Sequence, residues 1–234
     1  MYEGRRVLTL VPARGRCDGI DHMNMRELGG HPLLRYTLRV AAQLPFVDRL
    51  FVSTENERIA AYAREHGVDV PALRSEALSE PDVVMEDIVA EALARFAESG
   101  EEFDLVLVLY PNAPFKRPEA IARAMALALS CDFVVPLYGH RDYLWEVDGD
   151  RARLAGDAER TSREAATVKH EERGGIYVYN LASGRWADPD TRETGFVEVG
   201  FHESRMVNTV YDLLMFERLA RLPGSLVDDL LTCD

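Results

Sequence analysis

The chain has 234 residues, of which 47% are hydrophobic and 29% charged, and its formal net charge is −13. That length can bury a substantial core, and the composition argues against a disordered chain. The acidic balance disfavours a nucleic-acid partner, whose phosphates need clustered Lys and Arg, and no apolar run reaches the ~18 residues of a membrane span. Cys17, Cys131 and Cys233 are far apart, odd in number and without a CxxC spacing, so reduced thiols are expected. "MYEGRRV" has no signal-peptide core, and the expected location is the cytoplasm.

In chain order, Arg6–Val11 is a strand and Pro32–Leu44 a helix with proline in its first turn. "RLFVST" (Arg49–Thr54) is the next strand, followed by a helix from Asn56 to His66 and a short extended piece, "VDVPAL". Val83–Ala97 is helical, with Val84, Ile88, Ala92 and Phe96 at the apolar spacing. "DLVLVLY" (Asp104–Tyr110) is an unbroken apolar run, as a parallel strand covered on both faces requires. Pro118–Leu129 is a helix and "FVVPL" another strand.

The alternation of strand and helix predicts an α/β fold with a doubly wound, mostly parallel sheet and ligands at the carboxyl ends of its strands. From Tyr138 to Glu172 the rhythm fails. "YLWEVDGDRARLAG" predicts a hairpin turning at Asp148–Asp150, and "DAERTSREAATVKHEERG" is highly charged and poorly periodic. The 138–172 segment is therefore an arm or insertion within one 1–234 domain. A strand returns at "GIYVYN", another lies near Phe196–Met206, and Thr209–Leu222 is the last helix.

The chemistry concentrates in "LTLVPARGRCDGIDHMNMRELGGHPLL", where an apolar strand breaks at Pro12 into a loop. No GK[ST] follows, and Gly15 and Gly19 do not make a GxGxxG, so neither common phosphate fingerprint is present. Arg5, Arg6, Arg14, Arg16 and Arg26 nevertheless make this a local positive region able to hold a small anion. An ordinary strand-to-helix loop explains the same residues about as well. Cys17 and His22 have no partner motif elsewhere and read as solvated loop residues, not as transition-metal ligands.

"VPARGRCDGIDHMN" resembles the opening of the CMP-sialic acid synthetases (acylneuraminate cytidylyltransferases), with its P-A-R, small residues, S-K-G-I and K-N. "ELGGHPLLRYTL" is similar to that family's L-G-G-K-P-L-I-x-Y-T, and "DRLFVSTENERIAAYAREHGVDVP" to its D-x-V-V-V-S-T-D stretch. "LRSEAL", "LVLYPNAPFKRPEAI" and "RGGIYVYN" follow in the family's order. The resemblance implies a nucleotidyltransferase-like Rossmann variant with a hairpin dimerisation arm. It also implies transfer of CMP from CTP to a small acidic acceptor, with release of pyrophosphate and use of Mg²⁺. The acceptor would be a nonulosonic-type sugar acid or a phosphonate-type acid.

Carried over position by position, Pro12, Ala13, Arg14, Gly15 and Asn24 would hold the nucleotide. Arg74 and the turn of Pro111, Asn112 and Ala113 would frame base and ribose. Tyr110, Arg163, Arg173 and Tyr177 would lie on the acceptor side. The departures cluster at the reaction centre. The loop lysine is Asp18, a second lysine is Met23, and "ESRMVNTVYDLL" has Met206 and Asn208 where the family places metal-binding aspartates. Tyr110 and Arg173 replace a glutamine and an asparagine.

Two readings remain open. In one, the metal has moved toward Asp18, Asn208 and Asp212, and Arg14, Arg16 and Asp18 carry the catalysis. In the other, catalysis is impaired and the chain is a nucleotide- or sugar-binding partner subunit.

Overall fold

The computed structural model describes residues 1–16, 19–155, 160–162 and 164–220. Strand β1 (Val7–Pro12) is followed by the short pair β2 (Glu27–Leu28) and β3 (His31–Pro32), helix α1 (Leu33–Ala42) and strand β4 (Arg49–Ser53). Then come α2 (Glu57–Glu65), α3 (Met85–Glu98), β5 (Leu105–Leu109), α4 (Pro118–Leu127) and β6 (Phe133–His140). The hairpin β7 (Trp145–Asp148) and β8 (Arg151–Leu154) precedes β9 (Lys169–Glu172), β10 (Ile176–Asn180), β11 (Thr194–Glu198) and α5 (Val210–Ala220).

Seven strands form the main sheet in the order β11-β6-β10-β5-β1-β4, with β9 also paired to β6. β1 runs parallel to both β4 and β5, and β11 parallel to β6, whereas β10 lies antiparallel between β5 and β6. The sheet is mixed but mostly parallel. Because the chain leaves β1 first for β4 on one side and later for β5 on the other, a crevice opens at the carboxyl ends of β1 and β5. Such switch points are where open α/β sheets take ligands.

Side chains along the central strands alternate between two cores, the period-two pattern of a pleated sheet covered on both faces. Val7, Val11, Leu105, Leu107 and Leu109 pack toward α1, α2 and α4. Leu8, Leu10, Val106 and Val108 pack toward Ile88, Val89, Ala92 and Phe96 of α3. Helix starts follow local chemistry: the Asn56 side chain accepts from Arg58 N and Ile59 N to cap α2, and Pro118 opens α4. Val84, grouped with the buried stripe from its spacing, stands outside the helix at its N-cap and is exposed. The extended "VDVPAL" contributes a single bridge, Phe51 to Asp69.

Two expectations in the second half need correction. "KHEE", inside the stretch read as aperiodic, is strand β9, pairing antiparallel with β6 from Leu137↔Glu172 to His140↔Lys169. Backbone pairing to a longer neighbour holds it, so its side chains show no alternation. The strand expected to run from Phe196 to Met206 ends at Glu198. There Glu203 accepts from Gly200 N at 3.0 Å and Ser204 N donates to Gly200 O, turning the chain at glycine. The hairpin β7–β8 turns at Asp148–Arg151, as expected. No helix among the described residues is long and apolar enough to cross a membrane.

Candidate active site

A cleft of about 290 Å³ opens at the crevice between β1 and β5. Its walls come from four segments that the sequence keeps far apart. Pro12, Arg14, Met23 and Asn24 come from the loop after β1, and Tyr110, Pro111 and Asn112 from the turn after β5. Arg74 and Leu78–Pro81 close one side with Met85 and Ile88 of α3, and Met206 and Asn208 the other. Small-molecule sites are of roughly this size, from ~300 Å³ upward, and mostly apolar with a few placed polar groups. A second, more open cavity of about 820 Å³ adjoins it and is lined by Arg14, Gly15, Arg16, Asp21, His22, Glu55 and Asn56, among others.

The loop after β1 is held from both ends. Ala13 N donates to Ser53 O at 2.9 Å, and Gly15 N to Glu55 Oε1 at 2.5 Å. A Cβ at position 15 would lie 2.5 Å from Asn56 Nδ2, so only glycine lets the loop rest on the cap of α2. On the other side, buried Asn24 donates from Nδ2 to Arg14 O at 2.9 Å. Gly19 has φ +93°, and a Cβ there would sit 2.7 Å from Asn208 O. The loop and the Met206–Asn208 segment therefore touch. Cys17, Asp18 and Arg163 lie outside the described residues.

Arg74 borders the cleft but is only 4% exposed. Its guanidinium pairs with Glu55 Oε2 at 3.4 Å and donates to Ser79 Oγ at 3.1 Å and Ser53 Oγ at 3.5 Å. Burial lowers its pKa, with Glu55 acting against that shift. Glu55 thus ties Gly15, Arg74 and Ser79 together, joining the first loop to the far wall. Neither Glu55 nor Ser79 was singled out from the sequence. The signal available for Glu55 was its place just beyond the carboxyl end of β4.

The turn after β5 divides in two. Tyr110, Pro111 and Asn112 face the cleft, whereas Ala113 is buried behind it, where a Cβ at Gly175 would come within 2.8 Å of the Ala113 methyl. Asn112 grips the C-terminal segment: its carbonyl accepts from Val207 N at 2.7 Å and its Nδ2 donates to Asn208 Oδ1 at 3.0 Å. Tyr177 is a buried residue of β10 whose ring lies 5.0 Å from that of Tyr110 and whose hydroxyl donates to Glu172 at 3.0 Å. Burial pushes both phenols up, and Glu172 adds to the shift in each. Arg173 is half-exposed and paired with Glu171 at 2.7 Å.

Asn208 and Asp212 open α5. Asp212 Oδ2 accepts from Asn208 N at 3.0 Å, Thr209 N at 2.8 Å and Thr209 Oγ1 at 2.9 Å, and Asp212 N donates back to Thr209 Oγ1. That is a capping box. Burial works against the Asp212 carboxylate, yet these bonds hold its pKa below the usual range. Asn208 Oδ1 is already taken by Asn112, and among the described residues no three His, Cys, Asp or Glu side chains converge as a metal site. Mg²⁺ wants an octahedron of oxygens that includes carboxylates, waters or phosphates. The described residues do not fit a protein-built Mg²⁺ site.

The strand order and the cleft at the β1–β5 switch define a nucleotidyltransferase-like α/β fold. A family model described as "Cytidylyltransferase" matches residues 8–135, and the chain belongs to the cytidylyltransferase family, as its resemblance to the CMP-sialic acid synthetases implied. CMP-N,N'-diacetyllegionaminic acid synthase of Legionella pneumophila is 35% identical over 122 residues, covering 52% of this chain and 53% of that protein. The 3-deoxy-manno-octulosonate cytidylyltransferase of an Anaeromyxobacter species is 31% identical over 179 residues, 74% of this chain and 68% of that protein. The chain spans about half the length, or less, of curated relatives such as the first. The solved structure of CMP:2-keto-3-deoxy-manno-octonic acid synthetase complexed with CTP shares the fold, with a TM-score of 0.64 at 16% identity over 92% of this chain and 98% of that one.

Proposed function

We propose that this chain transfers CMP from CTP to a hydroxyl of a small acidic acceptor, a nonulosonic-type sugar acid or a phosphonate-type acid. In the reaction the acceptor oxygen bonds to the α-phosphorus, the bond from that phosphorus to the β-phosphate oxygen breaks, and pyrophosphate leaves. The hydroxyl proton passes to solvent. One observation carries the reading: the cleft at the β1–β5 switch joins Arg14 and Asn24 of the first loop to Asn112 and Met206. Arg14 and Arg16 are the cations assigned to the phosphates, where negative charge gathers during transfer. Pro12, Ala13, Gly15 and Arg74 shape the nucleotide side, and Tyr110, Arg173, Tyr177 and Arg163 are assigned to the acceptor side.

Pyrophosphate release with each of the four nucleoside triphosphates, against a panel of acidic acceptors, tests this proposal. CTP is expected to support release and to bind more tightly than ATP or GTP. Equal or absent binding of all four would end the nucleotide reading.

A second reading has its own observation. Met206 and Asn208 stand where the family's aspartates are expected, and the described residues build no metal site. The chain would then be an impaired cytidylyltransferase homologue that binds nucleotide or sugar, or serves as a partner subunit. On this reading wild type releases no pyrophosphate with any acceptor, and the triple change Asp18→Lys, Met206→Asp, Asn208→Asp gains release. On the first reading, with Mg²⁺ held by Asp18 and phosphate oxygens, Asp18→Asn abolishes Mg²⁺-dependent turnover while nucleotide still binds without metal.

We further propose that the chain acts as a homodimer through its 138–172 arm. Trp145 and Val147 of the hairpin and Phe196 of β11 expose apolar side chains that a second copy would cover. Removing residues 145–170 should convert dimers into monomers in sedimentation. A full-length chain that is already monomeric at micromolar concentration contradicts this assignment.

A further inference from the structure

Lys116 is buried beneath the turn that forms one wall of the cleft, with 2% of its surface exposed. Its Nζ donates to Thr37 Oγ1 on α1 at 2.9 Å, to Tyr110 O at 2.5 Å and to Ala113 O. An ammonium has three donors, and here all three meet neutral oxygens of one small region. No ion pair reaches Nζ among the described residues. The two carbonyls it holds are the first and last of the segment Tyr110–Ala113. The outer face of that segment lines the cleft and, through Asn112, holds Val207 and Asn208.

We propose that Lys116 is a positioning residue: its ammonium fixes the Tyr110–Ala113 turn in the shape that receives ligand, and loss of its proton loosens the turn and weakens binding. The ligand half of this inference rests on the proposed reading of the cleft as a CTP site; the turn half does not.

Burial without a countercharge pushes the Lys116 pKa down from 10.5 to about 7. A neutral amine keeps two N–H groups and presents a lone pair, so one of the three oxygens loses its donor. The Thr37 hydroxyl can turn to that lone pair only by leaving Tyr110 O, which it approaches at 3.5 Å.

The surrounding elements carry the following charged and titratable groups, and burial is the cause that shifts Lys116. On the turn these are Tyr110, whose phenol burial pushes well above its ordinary value, and Arg117. On α1 they are Arg35, Arg39 and Tyr36, the last raised to about 12. On α5, which reaches this region through Phe216 against Phe115, they are Asp212, Glu217 and Arg218. On β10, Tyr177 packs its ring against that of Tyr110 and is itself pushed up by burial.

Two signs then run in opposite directions. Ligand affinity falls as pH rises through about 7, because the clamp loses its proton. Fold stability rises over the same range, because between about 7 and 10.5 the unfolded chain binds the proton that the folded one has released. A lysine equally buried but merely filling space would show the stability trend without the fall in ligand affinity, so the affinity trend is the discriminating one.

The test follows labelled lysine Cε and Nζ signals, with the backbone amides of Asn112 and Ala113, from about pH 6 to about pH 9 in the ligand-free full chain. The expected result is a lysine midpoint near neutrality, tracked by the two amides and absent from them in Lys116→Met. Lys116→Arg, permanently charged, should likewise remove the titration. CTP affinity should fall by about fivefold more in wild type than in Lys116→Met over that range, the worth of one hydrogen bond. Amides that titrate equally in the variants, or a wild-type lysine signal that does not move, overturn the proposal. If Lys116→Met does not fold, the wild-type lysine signal still decides. If the turn titrates with Lys116 but CTP never binds, the turn assignment stands and the CTP reading fails.

Discussion

The turn after β5 and the loop after β1 face each other across the same cleft, but they are held in different ways. The turn is anchored from inside, by a buried ammonium on two backbone carbonyls and by Asn112 on Val207. The loop is anchored from its flank, by the Glu55 carboxylate on Gly15 N and by Asn24 on Arg14 O. The turn's contacts bring one buried ammonium onto neutral oxygens, and they set shape. The loop's contacts involve formal charge at a more open edge, and they set where an anion can rest. Bonds to charged groups contribute more each, ~1.5–3 kcal/mol against ~1 for neutral ones. Both sides use such bonds, but only Glu55 on the loop side also balances a second buried charge, Arg74, so its loss should give the larger effect.

The largest expected effect belongs to Glu55→Ala. The carboxylate accepts from Gly15 N, Arg74 Nη2 and Ser79 Oγ, and removing it leaves the buried Arg74 guanidinium without its countercharge. Breaking one partner of a buried pair typically costs ~3 kcal/mol. Urea unfolding of the variant should show a loss of that order, and a loss under ~1 kcal/mol would mean solvent replaces Glu55 readily. Glu55→Gln should lose less, because its amide oxygen can still accept from Gly15 N.

Next in size is Arg14→Ala, which separates anchoring from binding. Arg14 lines both the cleft and the cavity beside it. Its loss should weaken triphosphate binding by ~1.5–3 kcal/mol in calorimetry while leaving the unfolding midpoint nearly unchanged. Unchanged affinity would place the phosphates elsewhere. An equal loss in stability would make Arg14 part of the frame.

The same contrast explains what could be read from the sequence. "DLVLVLY" was legible as a strand because burial on both faces leaves an unbroken apolar record, and "RLFVST" because a short apolar centre sits between polar ends. The first loop was legible because proline, glycine and arginine follow a strand in a pattern that resembles one family. β9 was not, since "KHEE" is carried by backbone pairing to β6 and exposes most of its side chains. Lys116 was missed for a related reason. A lysine followed by an arginine and a proline reads as surface, and lysine is among the residues least often buried. Only coordinates show three oxygens converging on it. Glu55 stood in the open, but its value lies in Arg74, Ser79 and Gly15 meeting at one carboxylate, and chain positions alone do not report that meeting.

The smallest expected effect sharpens the comparison at the third wall. Thr209→Ala removes the hydroxyl that accepts from Asp212 N and donates to Asp212 Oδ2. Losing such a cap costs ~1 kcal/mol, because an amide in the first turn of α5 loses its partner. The variant also reports on Asp212. If the carboxylate serves the helix start, Thr209→Ala should lower stability equally with and without Mg²⁺, since the site gives the metal nothing to restore. If Asp212 is instead drawn into holding Mg²⁺ beside bound triphosphate, the ion should compete with the cap in wild type. Thr209→Ala would then bind Mg²⁺-triphosphate more tightly, having one fewer bond to surrender. Unfolding curves and calorimetry, each with and without Mg²⁺, distinguish the outcomes. The first is the one expected, because Asp212 Oδ2 already accepts three bonds from its own chain.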